Sequence, residues 1–140
     1  MIYFNFETEF DLKNQDKLTE WVKATIKEEE HKFEEISYIF CDDKYLLNLN
    51  INYLGHDTLT DIISFDYSVG KIISGDIYIS IERVKENANT FKVDFYEELH
   101  RAIIHGILHY CGYKDKTEND KKIMRGKENY YLNILNHSFR

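Results

Sequence analysis

Two histidines four residues apart, His105 and His109, stand in the apolar run 103–108, and Gly112 and Asp115 follow at steps of three. On a helix, positions i and i+4 share one face with about 5–6 Å between Cβ atoms, so the two imidazoles point the same way. Gly112 falls where a left-handed residue closes a helix, and the turn it makes swings Asp115 back towards the histidines. An HxxxH pair arises by chance in a chain with six histidines; the glycine and the carboxylate lift this one above chance. Zinc sites built for catalysis take three protein ligands and leave the fourth position to water. The pattern therefore reads as a mononuclear metal centre held by His105, His109 and Asp115. Such a centre polarises an oxygen and lowers the pKa of a bound water, which is the chemistry of hydrolysis.

A long buried helix must carry the pair. Leu99, Ile103, Ile104, Ile107 and Leu108 make the segment apolar on most sides, with Asp94 as its N-cap and Glu97 in the capping-box position. Upstream, 2–7 alternates as a half-buried strand, 15–31 has the spacing of an amphipathic helix built on Leu18, Trp21, Val22 and Ile26, and 36–41 reads as a second strand. Asp42 and Asp43 offer an N-cap for a short helix with Leu46, Leu47 and Leu49. Segments 61–67 and 72–81 form an antiparallel hairpin, Gly75 marking a bulge or a close approach. A helix over 82–91 precedes the central one. A C-terminal helix from about Glu118 is expected to present Ile123, Tyr130, Leu132 and Leu135 to the core. Strands and helices mix without strict alternation, so the class is α+β, with about four strands and about five helices in one domain over 1–140.

Composition bounds the function. At 140 residues the chain supports a single core. No stretch approaches the roughly 20 apolar residues of a membrane span, and the N-terminus lacks the pattern of a secretory signal. Two cysteines suit a reducing, cytoplasmic setting. The net charge of −7 argues against binding nucleic acid by charge alone, yet Lys114, Lys116, Lys121, Lys122, Arg125 and Lys127 crowd the segment after the metal motif and form a local patch able to meet phosphate.

Three blocks, LNINYLGHDTLTDIISFDY (49–67), SGDIYIS (74–80) and IIHGILHYCGYKD (103–115), resemble the YbeY endoribonuclease family of bacterial rRNA maturation factors. The resemblance implies one zinc ion, a small mixed sheet packed by helices, and metal-dependent cleavage of single-stranded rRNA precursors at the 16S 3′ end in partnership with the ribosomal small subunit. His105 and His109 fall on the family's first two ligands. The third is normally histidine and is Asp115 here, which should make bound water less acidic and the site more tolerant of other divalent ions. The family's arginine after the tyrosine of the first block is Leu54 here. Arg101, one turn before His105, is the candidate replacement, with Lys114 beside the ligand loop as a second catalytic cation. Ser64, Asp61 and Asp76 match family positions and would shape the cleft or orient the ligands.

Other readings compete. A non-catalytic ribosome-assembly factor with a structural metal would account for Leu54 and the acidic charge. A metalloprotease would need a glutamate beside the first histidine, and that neighbour is Gly106. Arg101 would, in the plainer reading, pair with Glu97 on its own helix. Cys111, two residues past His109, points away from the metal as a core thiol. Trp21 belongs to the core, His56 to a loop near the cleft, and Tyr110 and Tyr113 either stack on bases or pack.

Overall fold

The computed structural model describes residues 1–55 and 60–139; His56 lies outside them. Strands β1 (Ile2–Phe6), β2 (Lys32–Cys41), β3 (Ile62–Asp66) and β4 (Ile72–Ser80) form one sheet in the order β1-β2-β4-β3. β1, β2 and β4 run parallel, and β3 returns antiparallel on β4, pairing Ile63 with Tyr78 and Phe65 with Asp76. Helix α1 (Gln15–Glu28) makes the crossover between the parallel strands β1 and β2, and α2 (Asp43–Leu49) continues into a π-turn over Asn50–Leu54. Helices α3 (Ile81–Phe91), α4 (Phe95–Tyr110) and α5 (Glu118–Ser138) complete the fold. The mixed sheet and its helices are the α+β architecture expected from the sequence.

The sheet buries both faces unequally. Ile36, Tyr38, Phe40, Ile73, Ile77 and Ile79 face the main core with α1, α4 and α5. A smaller cluster of Cys41, Leu46 and Ile63 lies under α2. Helix α4 is central: Leu99, Ile103, Ile104, Ile107 and Leu108 are wholly buried, and it packs against α3, α5 and the β3–β4 hairpin. Its position is set from both ends. Asp94 caps it through the Tyr96 amide at 3.0 Å, while the reciprocal capping box forms at α5 instead, between Thr117 and Asp120. Tyr38 fixes its middle by donating to the Ile103 carbonyl at 2.8 Å.

Two expectations are corrected. β2 begins at Lys32, four residues before the apolar run, because a register shift between Phe33 and Ile36 lets the polar stretch pair with β4. On α5, Leu132 and Leu135 turn inward as expected, but Ile123 and Tyr130 are about half exposed and their neighbours Met124 and Tyr131 take the buried places, with Glu128. Trp21 holds that arrangement by donating its indole N–H to the Tyr131 carbonyl at 2.8 Å.

His100 makes the fold sensitive to acid. Burial against Trp21 and Tyr96, with Lys17 adding repulsion, pushes its imidazole down from 6.5 to about 4. Between those values the unfolded chain takes up a proton that the folded protein refuses, so stability falls as pH drops through this window and is flat above it. The loss should reach about 3 kcal/mol at most. Urea midpoints at pH 7.5 and 4.5 measure it, and His100→Phe is expected to narrow the gap between them; an unchanged gap would assign the acid sensitivity elsewhere.

Candidate metal centre

The last turn of α4 presents both histidines. Its end is a Schellman turn: the Gly112 amide donates to the His109 carbonyl and the Tyr113 amide to the Leu108 carbonyl, each at 3.0 Å. Gly112 takes φ +104°, a conformation that L side chains rarely adopt. The chain then doubles back and sets Asp115 Oδ2 at 3.4 Å from the Nε2 atoms of both His105 and His109. The two rings stand at 90° with centroids 4.6 Å apart, and the ligand atoms of the three residues all lie within 4.8 Å of one another.

Each imidazole is oriented by its other nitrogen. His105 Nδ1 donates to Glu128 Oε2 at 2.7 Å, and His109 Nδ1 donates to the Tyr113 carbonyl at 2.9 Å. Both protons are thereby held on Nδ1, which leaves the Nε2 lone pairs aimed at the shared space next to the Asp115 carboxylate. Two imidazoles and a carboxylate with such outer partners fit a zinc ion or another borderline divalent ion.

Glu128 is the residue that sequence reasoning missed. Burial by itself would raise its carboxyl, but the His105 hydrogen bond and the Arg101 guanidinium hold it below its ordinary value. Periodicity counted over apolar side chains assigns a glutamate to the solvent side of α5. The missing signal was Arg101, a charged residue on a helix otherwise bound for the core, which needs a carboxylate within reach.

The three ligands line an open cleft of about 340 Å³ with Asp61, Ser64 and Glu98. Asp61 and Ser64 thus take the cleft-lining places expected of them, whereas Asp76 accepts from Tyr67 at 3.3 Å and does not line it. No carboxylate adjoins the ligands in sequence, yet the fold brings Asp61 and Glu98 into the cleft, and burial raises the carboxyls of both. Arg101 faces the cleft, as its phase on α4 demands, and Arg125 joins it there. The Arg101 guanidinium is engaged: Nη1 lies 3.0 Å from Glu128 Oε1 and Nε 4.0 Å from Glu98 Oε1, so its partners are Glu98 and Glu128 rather than Glu97. Lys114 is exposed on the ligand loop and is absent from the cleft lining.

The space beside the first histidine is closed to a catalytic glutamate. A Cβ on Gly106 would stand 2.9 Å from Ile77 Cδ1, so this face of α4 presses directly on the sheet. A side chain there would point into the sheet rather than at the metal. Two residues from His109, Cys111 packs against the core, its thiol pushed up to about 12 by burial. Tyr110 is buried and its hydroxyl bonds the carbonyls of Phe65 and Asp76 at 3.0 and 3.1 Å, passing over Gly75. Tyr113 donates to Glu29 at 2.7 Å. Both tyrosines pack rather than offering a free ring face.

Residues 3–136 match the family described as endoribonuclease YbeY. The chain belongs to the endoribonuclease YbeY family. A curated YbeY endoribonuclease of Flavobacterium johnsoniae is 61% identical over 128 residues, 91% of this chain and 92% of that protein. Another, from Flavobacterium psychrophilum, is 57% identical over 135 residues, 96% of each. Among solved structures, a Thermotoga maritima protein determined in solution superposes with a TM-score of 0.68 at 27% identity, covering 96% of this chain and 89% of its own. The YbeY match takes in the His105–Asp115 motif, the β3–β4 hairpin and the helix that carries Glu128, so the entire cleft lies inside the family's domain.

Proposed function

We propose that this protein is a metal-dependent endoribonuclease, specific for single strands, that matures the 3′ end of 16S rRNA and serves ribosome quality control in the cytoplasm with zinc as its metal. The observation that carries this reading is the convergence of His105 Nε2, His109 Nε2 and Asp115 Oδ2 at the floor of an open cleft. When bound, the metal supplies Lewis-acid polarisation of a phosphoryl oxygen and a more acidic water. Glu128 and the Tyr113 carbonyl hold the imidazole protons away from the ion. Arg101 keeps Glu128 ionised and in place, its own charge balanced by Glu128 and Glu98, while Lys114 stands exposed on the ligand loop outside the cleft lining. Asp61, Ser64 and Glu98 supply the polar wall against which a water or a ribose hydroxyl is positioned.

The open site favours catalysis over a structural metal. Structural zinc sites are usually closed by a fourth protein ligand, and among the described residues the cluster has three members. No helix among the described residues is long and apolar enough to cross a membrane, and the proposed partner is the small ribosomal subunit. A protease is disfavoured by the packing of Gly106 on Ile77.

The test is cleavage of a single-stranded rRNA 3′ precursor by metal-replete protein, by chelator-stripped protein and by stripped protein given one equivalent of zinc. Cleavage should vanish on stripping and return with zinc, and the same sequence annealed to its complement should stay intact. Cleavage that survives stripping, or equal cleavage of the duplex, would overturn the reading.

A further inference from the structure

The metal cleft does not end at the ligands. A second cavity of about 230 Å³ shares His105, Asp115, Arg125 and Glu128 with it and continues over Lys121 and Met124 on α5. The two form one groove that leads from the metal centre along the start of α5. Arg125 and Lys121 are four residues apart and so lie on one helix face, about 5–6 Å apart at Cβ. Met124, 2% exposed, supplies an apolar floor beside them.

The charges in this groove are not equivalent. Arg101 is 15% exposed and committed to Glu128 and Glu98. Glu128 is in turn committed to Arg101 and His105, and Asp115 faces the histidines. Arg125 and Lys121 are held loosely instead. Arg125 Nη1 is 3.8 Å from Glu128 Oε1 with its side chain 56% exposed, and Lys121 Nζ is 3.8 Å from Glu118 Oε1 with its side chain 58% exposed. Both cations are solvent-exposed and their contacts are long, so an arriving phosphate displaces them at little cost.

We propose that the substrate strand leaves the metal centre along the first turns of α5, its backbone phosphates met in succession by Arg125 and Lys121. Arg125, next to the ligands, contacts the phosphate at or beside the scissile one and supplies the free cation that the committed Arg101 does not. Lys121 contacts a phosphate further along. This path rests on the ribonuclease reading above and adds the direction in which the chain of phosphates runs.

Salt dependence tests it. Each phosphate contact on a single strand contributes about 0.7 to the slope of log K against log salt. A phosphorothioate, 2′-O-methyl single strand of about ten nucleotides, checked to be intact after titration, is bound to metal-replete protein by fluorescence anisotropy over a salt series. Arg125→Gln and Lys121→Gln should each make the slope shallower by about 0.7, and the double variant by about 1.4, with metal content unchanged. Lys122→Gln removes the same charge from an exposed neighbour that lines neither cavity and should leave the slope as it was. An equal effect of Lys122→Gln would replace the track by a diffuse field. Parent-like slopes for Arg125→Gln and Lys121→Gln, in a protein that still binds and cleaves, would overturn the path while the ribonuclease reading stands. A parent protein that neither binds this strand nor cleaves the unmodified rRNA precursor would overturn both.

Discussion

His109→Ala is expected to empty the metal centre and to lower single-turnover cleavage by at least about 10³-fold, equivalent to roughly 4 kcal/mol of barrier. A three-ligand site has no spare donor, and the remaining pair, His105 and Asp115, cannot enclose an ion from one side. The fold should survive. His109 stands near the end of α4 with its side chain 30% exposed, and the contact it surrenders is one hydrogen bond to the Tyr113 carbonyl, worth about 1 kcal/mol. Elemental analysis of purified protein should give one metal per chain for the parent and none for the variant, with superimposable circular dichroism. Metal retained at one per chain would remove His109 from the ligand set.

Glu128→Ala is expected to act at a distance from the ion and on two properties at once. Loss of the partner that orients His105 should weaken metal affinity about 10–100-fold. The same change removes the nearer of Arg101's two carboxylates, at 3.0 Å, and leaves Glu98 at 4.0 Å, so the cost should fall below the roughly 3–5 kcal/mol of a fully orphaned buried charge. The double variant Arg101→Ala with Glu128→Ala should recover part of the stability but none of the metal affinity, because only the stability loss belongs to the ion pair. Urea unfolding of the metal-free forms and competition with a chromophoric chelator separate the two. Equal metal affinity in parent and Glu128→Ala would show that His105 is oriented by its helix alone.

Periodicity placed the elements because most of their buried positions are apolar, and it failed where buried positions are polar. The α4 motif was legible since His105, His109, Gly112 and Asp115 are near neighbours in sequence and their geometry follows from helix and turn alone. Glu128 lies 23 residues from the histidine it orients, and no local rule links them. The exchanged burial on α5 has the same origin: the pairs Ile123–Met124 and Tyr130–Tyr131 each offer two apolar candidates one residue apart, and the choice is made by Trp21 from another helix. The sequence makes Arg101 a cation near the metal, and it is one; that its charge is balanced by two carboxylates depends on tertiary packing. The parallel crossover of β1 and β2 was likewise hidden, since strand order is a property of the assembled sheet.

The Tyr110 hydroxyl that spans Gly75 joins the two walls of the cleft. One wall is α4 with its histidines; the other begins at β3, where Asp61, Ile62 and Ser64 stand. By gripping the carbonyls of Phe65 and Asp76 at once, Tyr110 pins the end of α4 to both strands of the hairpin, and no residue larger than glycine fits beneath it. Among the described residues the two walls are therefore braced to each other through one side chain. A cleft braced in this way suits the single-stranded substrate proposed above, because a pliant chain bends to the opening it meets, and selection by compliance needs no base-reading contacts.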